Sequence, residues 1–196
     1  MKTLVTEFIS LDGVVQAPGG ATEDTDGGFA HGGWSMKYFD PAVMGGTYTD
    51  LARQSSALLQ GRRTYQVSAA AWPSRSGDDF SDWINRTQKY VVSDTLRNED
   101  IVWKPTEIIR GADFVKAVEA LRARPGGYIY VYGSPTMVRS LLAADLVDEL
   151  LLTIEPIVLG GGKSIFPADG RALPFELVST VRASTGAQVC RYARAR

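Results

Sequence analysis

The stretch 128–166, YIYVYGSPTMVRSLLAADLVDELLLTIEPIVLGGGKSIF, constrains the fold of this chain more than any other. Residues 128–132 are uncharged and mostly β-branched or aromatic, the composition of a strand covered on both faces. Gly133 and Ser134 break that run. Pro135 suits the first turn of a helix, where its missing N–H costs nothing, and Ser134 is placed to cap the turn. A strand that enters a helix through a glycine makes a phosphate cradle, because the free N–H groups of the first turn and the positive end of the helix dipole face the same point. A short amphipathic helix and a second apolar strand follow, and the strand runs into the triplet Gly160, Gly161 and Gly162. Gly162, Lys163 and Ser164 imitate the end of a P-loop, but that motif needs a glycine where Ile157 stands and a helix where Phe166 and Pro167 come. The triplet therefore reads as a backbone turn or bulge beside a ligand.

The same strand, glycine and helix order occurs earlier. Residues 57–60 form a short apolar strand, and Gly61, Arg62, Arg63, Thr64 and Tyr65 open a helix. Two guanidinium groups and a hydroxyl at a helix start fit anion recognition, and they fit an ordinary solvated helix end equally well. Residues 2–10 alternate and are rich in β-formers, so they predict a first strand that Leu11, Asp12 and Gly13 terminate. A glycine-rich loop spans 14–33, long enough to act as a lid over a site or to be a surface excursion. Trp34, Tyr38 and Phe39 follow it, as anchors for the loop or as the floor of a pocket for a flat heterocycle. Asp40 and Pro41 then predict the N-cap and first residue of a helix running to about Ser56.

Beyond these lie a polar excursion over 72–86 with a helical turn near 80–84, strands at 89–93 and 107–109, and a helix at 112–124. Two C-terminal strands, 175–182 and 187–193, meet at Gly186 as an antiparallel hairpin. Strand alternating with helix, then strands in series, predicts an α/β fold in three layers, a mixed and mostly parallel sheet flanked by helices. At 196 residues the chain reads as one domain over 1–196.

A net charge of −1, with acids and bases interspersed, argues against nucleic acid or an anionic membrane as partner. Cys190 is the only cysteine, so an internal disulfide is excluded and the thiol reads as buried and structural. No stretch approaches the roughly 18 apolar residues of a membrane span, and a cytoplasmic location is expected. One histidine, His31, and one cysteine cannot furnish a zinc site, so no metal is expected. No Ser or Cys sits in a G-x-S-x-G elbow. What remains is a pair of strand-to-helix turns at Gly61 and Gly133 on one parallel sheet, an arrangement suited to a dinucleotide lying across its carboxyl edge.

Four blocks in this order carry a resemblance: ISLDGVV at 9–15, LLQGRRTYQ at 58–66, KYVVSDTL at 89–96 and the block 131–166. Together they resemble the dihydrofolate-reductase-like family built on the C-terminal reductase domain of bacterial riboflavin biosynthesis, over nearly the whole chain and without the deaminase half of the bifunctional enzyme. The resemblance implies an oxidoreductase, dependent on NADPH and often a homodimer, that transfers hydride to a small pterin- or pyrimidine-like substrate. Gly61, Arg62, Arg63 and Thr64 match the helix start that holds cofactor phosphate, Ser93 the strand end beside the adenosine 2′-phosphate, and Gly133, Ser134, Pro135 and Thr136 the turn under the pyrophosphate. Asp12 and Gly13 match the start of the loop covering the nicotinamide, which puts Asp12 beside the chemistry. Asp40 is the nearest match to the catalytic carboxylate, and Trp34 and Tyr38 fall in the substrate region. Asp94 departs from the pattern: it would repel a 2′-phosphate and accept from a free ribose hydroxyl, which leaves NADH open, with Arg62, Arg63 or Arg97 to compensate. A non-catalytic nucleotide-binding module on the same fold is the competing reading.

Overall fold

The computed structural model describes residues 1–195. Its strands are β1 (Lys2–Ser10), β2 (Ser55–Gly61), β3 (Lys89–Val92), β4 (Thr106–Ile109), β5 (Tyr128–Val131), β6 (Glu149–Glu155), β7 (Phe175–Arg182) and β8 (Gln188–Arg194). They form one eight-stranded sheet in the order β4-β3-β2-β5-β1-β6-β8-β7. The first six are parallel to one another; β8 runs antiparallel to β6, and β7 to β8.

Five helices flank the sheet: α1 (Gly46–Arg53), α2 (Arg62–Ala71), α3 (Asp79–Arg86), α4 (Phe114–Arg122) and α5 (Pro135–Ala143). The inner strands are apolar throughout because both of their faces are covered. On one face Val5, Leu59, Ile129 and Val131 pack with Phe114, Val118, Val138 and Leu141 of α4 and α5. On the other, Leu4, Leu58, Tyr130 and Leu151 pack with Leu51, Tyr65, Trp83 and Ile84 of α1, α2 and α3. These are the three layers that the strand and helix pattern predicts.

Local differences from the sequence reading have physical causes. Asp40 does cap a helix start, accepting from the Ala42 amide at 3.0 Å, but 41–45 form a wide π-type turn and regular helix begins only at Gly46. The helix also ends at Arg53 rather than near Ser56, because Ser55 already pairs with Tyr128. The turn expected near 80–84 is a full helix from Asp79 to Arg86, capped by Asp78, which accepts from the Phe80 and Ser81 amides. Cys190 is buried and unpaired.

Because the six parallel strands share one direction, their carboxyl ends lie along one edge. Val131 pairs with Val5 on one side and with Leu59 on the other, so Gly61 and Gly133, each two residues further on, arrive at the same level.

Candidate active site at the carboxyl edge

The turns after β2 and β5 interlock. A β-carbon on Gly61 would lie 2.9 Å from Ser134 Cβ, and one on Gly133 only 2.7 Å from the Thr64 hydroxyl oxygen. Gly133 also has φ +61°, in the left-handed region that glycine enters freely. Ser134, expected to cap α5, makes no side-chain cap; its Oγ is turned toward Gly61 instead, and the peptide joining Gly133 to Ser134 is cis. No side chain caps the start of α2 either, so the first-turn N–H groups of two neighbouring helices open toward the same edge. This places Gly61, Thr64, Gly133, Ser134 and Pro135 in one group.

The other residues matched to cofactor sit around it with varying freedom. Among the described residues Arg62 bonds within its helix, to Gln66 Oε1 at 3.1 Å, and it lines a cleft of ≈ 390 Å³ with Tyr65, Thr95, Leu96 and Asp100. Ser93 closes its own turn, its Oγ accepting from the Thr95 and Leu96 amides at 3.2 and 2.9 Å. Asp94 accepts from the Gly111 amide at 2.7 Å and so braces the start of the next helical turn. Arg97 is paired with Glu99 and Asp100. Arg63 meets Asp24 and Asp26 of the glycine-rich loop.

Both carboxylates matched to chemistry are held by donors of the protein itself, most of them distant in the chain. Asp12 accepts from Ser10 Oγ at 2.6 Å and from the Leu159 and Gly160 amides, which ties the end of β1 to the glycine triplet and holds its carboxyl down at about 2. Asp40 accepts from the Ser184 hydroxyl at 2.7 Å and the Ser184 amide at 2.8 Å, in addition to Ala42; these donors hold its pKa below the ordinary carboxylate value. Each stays ionised at neutral pH, so neither stores a proton there. Trp34 is buried against Val14 and Leu159 and donates to the Gln16 carbonyl at 2.8 Å, so it anchors the loop. Tyr38 is half-buried; its carbonyl accepts from Thr185 Oγ1 at 2.7 Å, and its hydroxyl contacts the Pro156 carbonyl at 3.4 Å. The glycine triplet is a turn with no helix after it.

Two buried acids at the same edge are not among those motif residues. Glu7 lies on β1 beside the Gly133 turn and accepts from the Gly133 amide at 3.0 Å; burial pushes its pKa up to about 8. Glu155, at the end of β6, is fully buried: Oε1 accepts from Ser35 Oγ at 2.7 Å, Oε2 has no hydrogen-bond partner among the described residues, and burial raises it to about 7. Nearby, the Tyr48 hydroxyl meets Thr153 Oγ1 at 2.6 Å, and burial reinforced by the charges of Glu155 and Glu7 pushes that phenol above its usual range. The signal for both acids was available, since Glu7 is the one carboxylate of β1 and Glu155 closes the uncharged run 150–154, placements that are costly without a reason.

The model of the RibD C-terminal domain matches residues 2–189. The chain belongs to that family. Within the family's range of sequences, it is 27% identical over 182 residues to the uncharacterized Bacillus subtilis (strain 168) protein YyaP, covering 91% of this chain and 87% of that one. A putative riboflavin biosynthesis protein from Shewanella sp. PV-4 superposes with a TM-score of 0.77 at 20% identity, over 100% of both chains. Dihydrofolate reductase from Enterococcus faecalis, solved with NADP(H) and RAB-propyl, gives a TM-score of 0.62 at 15% identity, over 100% of this chain and 97% of that one. The sheet of this RibD C-terminal domain is therefore of the dihydrofolate-reductase type.

Proposed function

We propose that this RibD C-terminal domain protein, taken as one domain, is an NAD(P)H-dependent reductase that transfers hydride to a small pterin- or pyrimidine-like heterocycle. The observation that carries the reading is the interlock of Gly61 with Ser134 and of Gly133 with Thr64, which sets two uncapped helix starts side by side at the carboxyl edge. Such a pair offers N–H donors and two aligned dipoles to a pyrophosphate. The solved relative that holds NADP(H) supports the choice of cofactor.

In this reading Gly61, Thr64, Gly133, Ser134, Pro135 and Thr136 cradle the pyrophosphate, while Arg62 and the Ser93–Thr95 turn face the adenosine end. Bound nicotinamide supplies the hydride; the protein orients it and keeps water away. Proton supply moves from Asp40 to Glu7, because Glu7 is protonated at pH 7 and borders the Gly133 turn, whereas Asp40 is ionised and bound to Ser184. Asp12 and Asp40 keep the covering loop and the helix that follows it in place. Asp94 accepts from the Gly111 amide through one oxygen, which leaves its other oxygen for a ribose hydroxyl and keeps NADH beside NADPH in this reading. A homodimer in the cytoplasm completes the reading.

Titration of the purified protein with NADPH and NADH, followed by nicotinamide fluorescence, tests it. Binding of NADPH at micromolar to submillimolar concentration is expected; binding of neither nucleotide would sink the proposal. The engagement of both Asp12 and Asp40 in bonds within the protein gives the non-catalytic module its one point of support. Tight cofactor binding with no oxidation of NADPH on any pterin, pyrimidine or quinone would favour that alternative.

A further inference from the structure

Arg63 and Lys163 reach the same place from two directions, one from the first turn of α2 and the other from just beyond the glycine triplet. Both are bound there by the chain's own acids. Arg63 Nη1 meets Asp24 at 3.0 Å and also Asp26, and Lys163 Nζ meets Asp24 at 2.5 Å and Asp26 at 2.8 Å. Gln16 shapes the loop for this contact: its Nε2 donates to the carbonyls of Asp24 and Asp26, and its Oε1 accepts from the Lys163 amide.

The loop is anchored unevenly. Asp12 holds its start to the Leu159 and Gly160 amides, and Trp34 holds its end in a small apolar cluster with Val14 and Leu159. Between those anchors, the Ala17 and Pro18 carbonyls accept from the Gly33 and Ser35 amides, and among the contacts described Gln16 and the ion cluster join 19–28 to the rest of the molecule, while Glu23 bonds within the loop, to the Gly19 and Gly20 amides. Arg63 and Asp26 are each close to half exposed. The Arg63–Asp26 pair, so open to water, holds weakly, because its ions give up hydration and rotamer freedom for a screened attraction, whereas Asp24 and Lys163 are more enclosed. Asp26 remains ionised down to a pH of about 2, so a competing anion, and not a proton, is what can open the cluster.

We propose that Arg63 and Lys163 form a two-cation site for the phosphate groups of a ligand, and that Asp24 and Asp26 occupy it in the ligand-free chain as an internal anion which those phosphates displace. Two adjacent carboxylates on two cations present the charge pattern of a pyrophosphate, and the site adjoins the Gly61–Thr64 turn through Arg63. Displacement frees the middle of the loop while Asp12 and Trp34 keep its ends. Identifying the natural ligand as NAD(P)H rests on the proposed function; the two-cation site itself does not.

The test uses sodium pyrophosphate and NADPH separately, on the wild-type protein and on Asp24→Asn/Asp26→Asn, Arg63→Ala and Lys163→Ala, each checked for an unchanged circular dichroism spectrum. Calorimetry should show pyrophosphate bound at least tenfold tighter by the double Asn variant and at least fivefold weaker by each Ala variant. On the wild-type protein, pyrophosphate should speed limited proteolysis within 19–28 at an ionic strength where chloride does not. That arm needs no variant to fold. Unchanged or weaker pyrophosphate binding in the double Asn variant, or proteolysis that follows ionic strength alone, overturns the proposal. If pyrophosphate behaves as expected and NADPH binds to none of these proteins, the cofactor reading fails while the two-cation site stands; if NADPH binds and the pyrophosphate responses are absent, the reverse holds.

Discussion

Gly133 and Thr64 are in such close contact that a β-carbon on the glycine would sit 2.7 Å from the threonine hydroxyl oxygen. Residues 69 positions apart thereby fix the distance between two helix starts. Gly133→Ala meets both that obstruction and the cost of a left-handed φ, so a loss of about 2–4 kcal/mol in unfolding free energy is expected. Urea unfolding measures it, and NADPH affinity should fall in parallel. Full retention of stability would mean that the turns can part without cost.

Glu7 gives the protein a pH signature. Its folded pKa of about 8 lies above its ordinary value of 4.5, so its contribution to stability is complete below pH 4.5 and is lost as pH rises through 8. Within that window the expected slope is roughly 1.4 kcal/mol per pH unit. Glu155 adds a similar slope that ends near pH 7. Glu7→Gln should flatten the higher part of the curve and raise the melting temperature at pH 8. If Glu7 also supplies the proton, the same variant should lower kcat without weakening NADPH binding, and the alkaline limb of the rate profile near pH 8 should vanish.

Asp40 separates a structural role from a catalytic one. Asp40→Ala removes a helix cap and frees the Ser184 amide to water, for a loss of about 1 kcal/mol. Asp40→Asn keeps an acceptor and should recover most of that stability. Turnover should follow stability across the two variants. A kcat reduced a hundredfold in a fully stable Asp40→Asn protein would return this residue to the chemistry.

Arg62 is the residue whose removal should distinguish the two cofactors. Unlike Arg63, its guanidinium has no acid partner among the described contacts and faces the cleft with Thr95. Arg62→Ala should weaken NADPH about tenfold, or roughly 1.4 kcal/mol, and NADH by much less. Equal losses for the two nucleotides, measured by fluorescence titration, would remove a 2′-phosphate role from this side chain.

The order of strands and helices was legible along the chain because burial imposes a local pattern. Uncharged β-formers at 128–131, an alternating start and a proline as the first residue of α5 each carry their meaning within a few positions. Helix ends were read less well. The helix after Asp40 stops at Arg53 because Ser55 is claimed by a partner strand more than seventy residues away, which no local preference encodes. The turns at Gly61 and Gly133 were visible as separate cradles; that each glycine is required by the other turn was not.

The sequence by itself determined the α/β class, the two strand-to-helix turns and the family resemblance, since all three depend on residue type and spacing. The tertiary structure decided what those residues touch. It bound Asp12 to the Leu159 and Gly160 amides and Asp40 to Ser184, turned Arg63 toward Asp24 and Asp26, and buried Glu7 and Glu155 so that their pKa values rise. The reason is physical: a carboxylate's charge state follows from its desolvation and from the donors around it, and both are set by contacts distant in sequence.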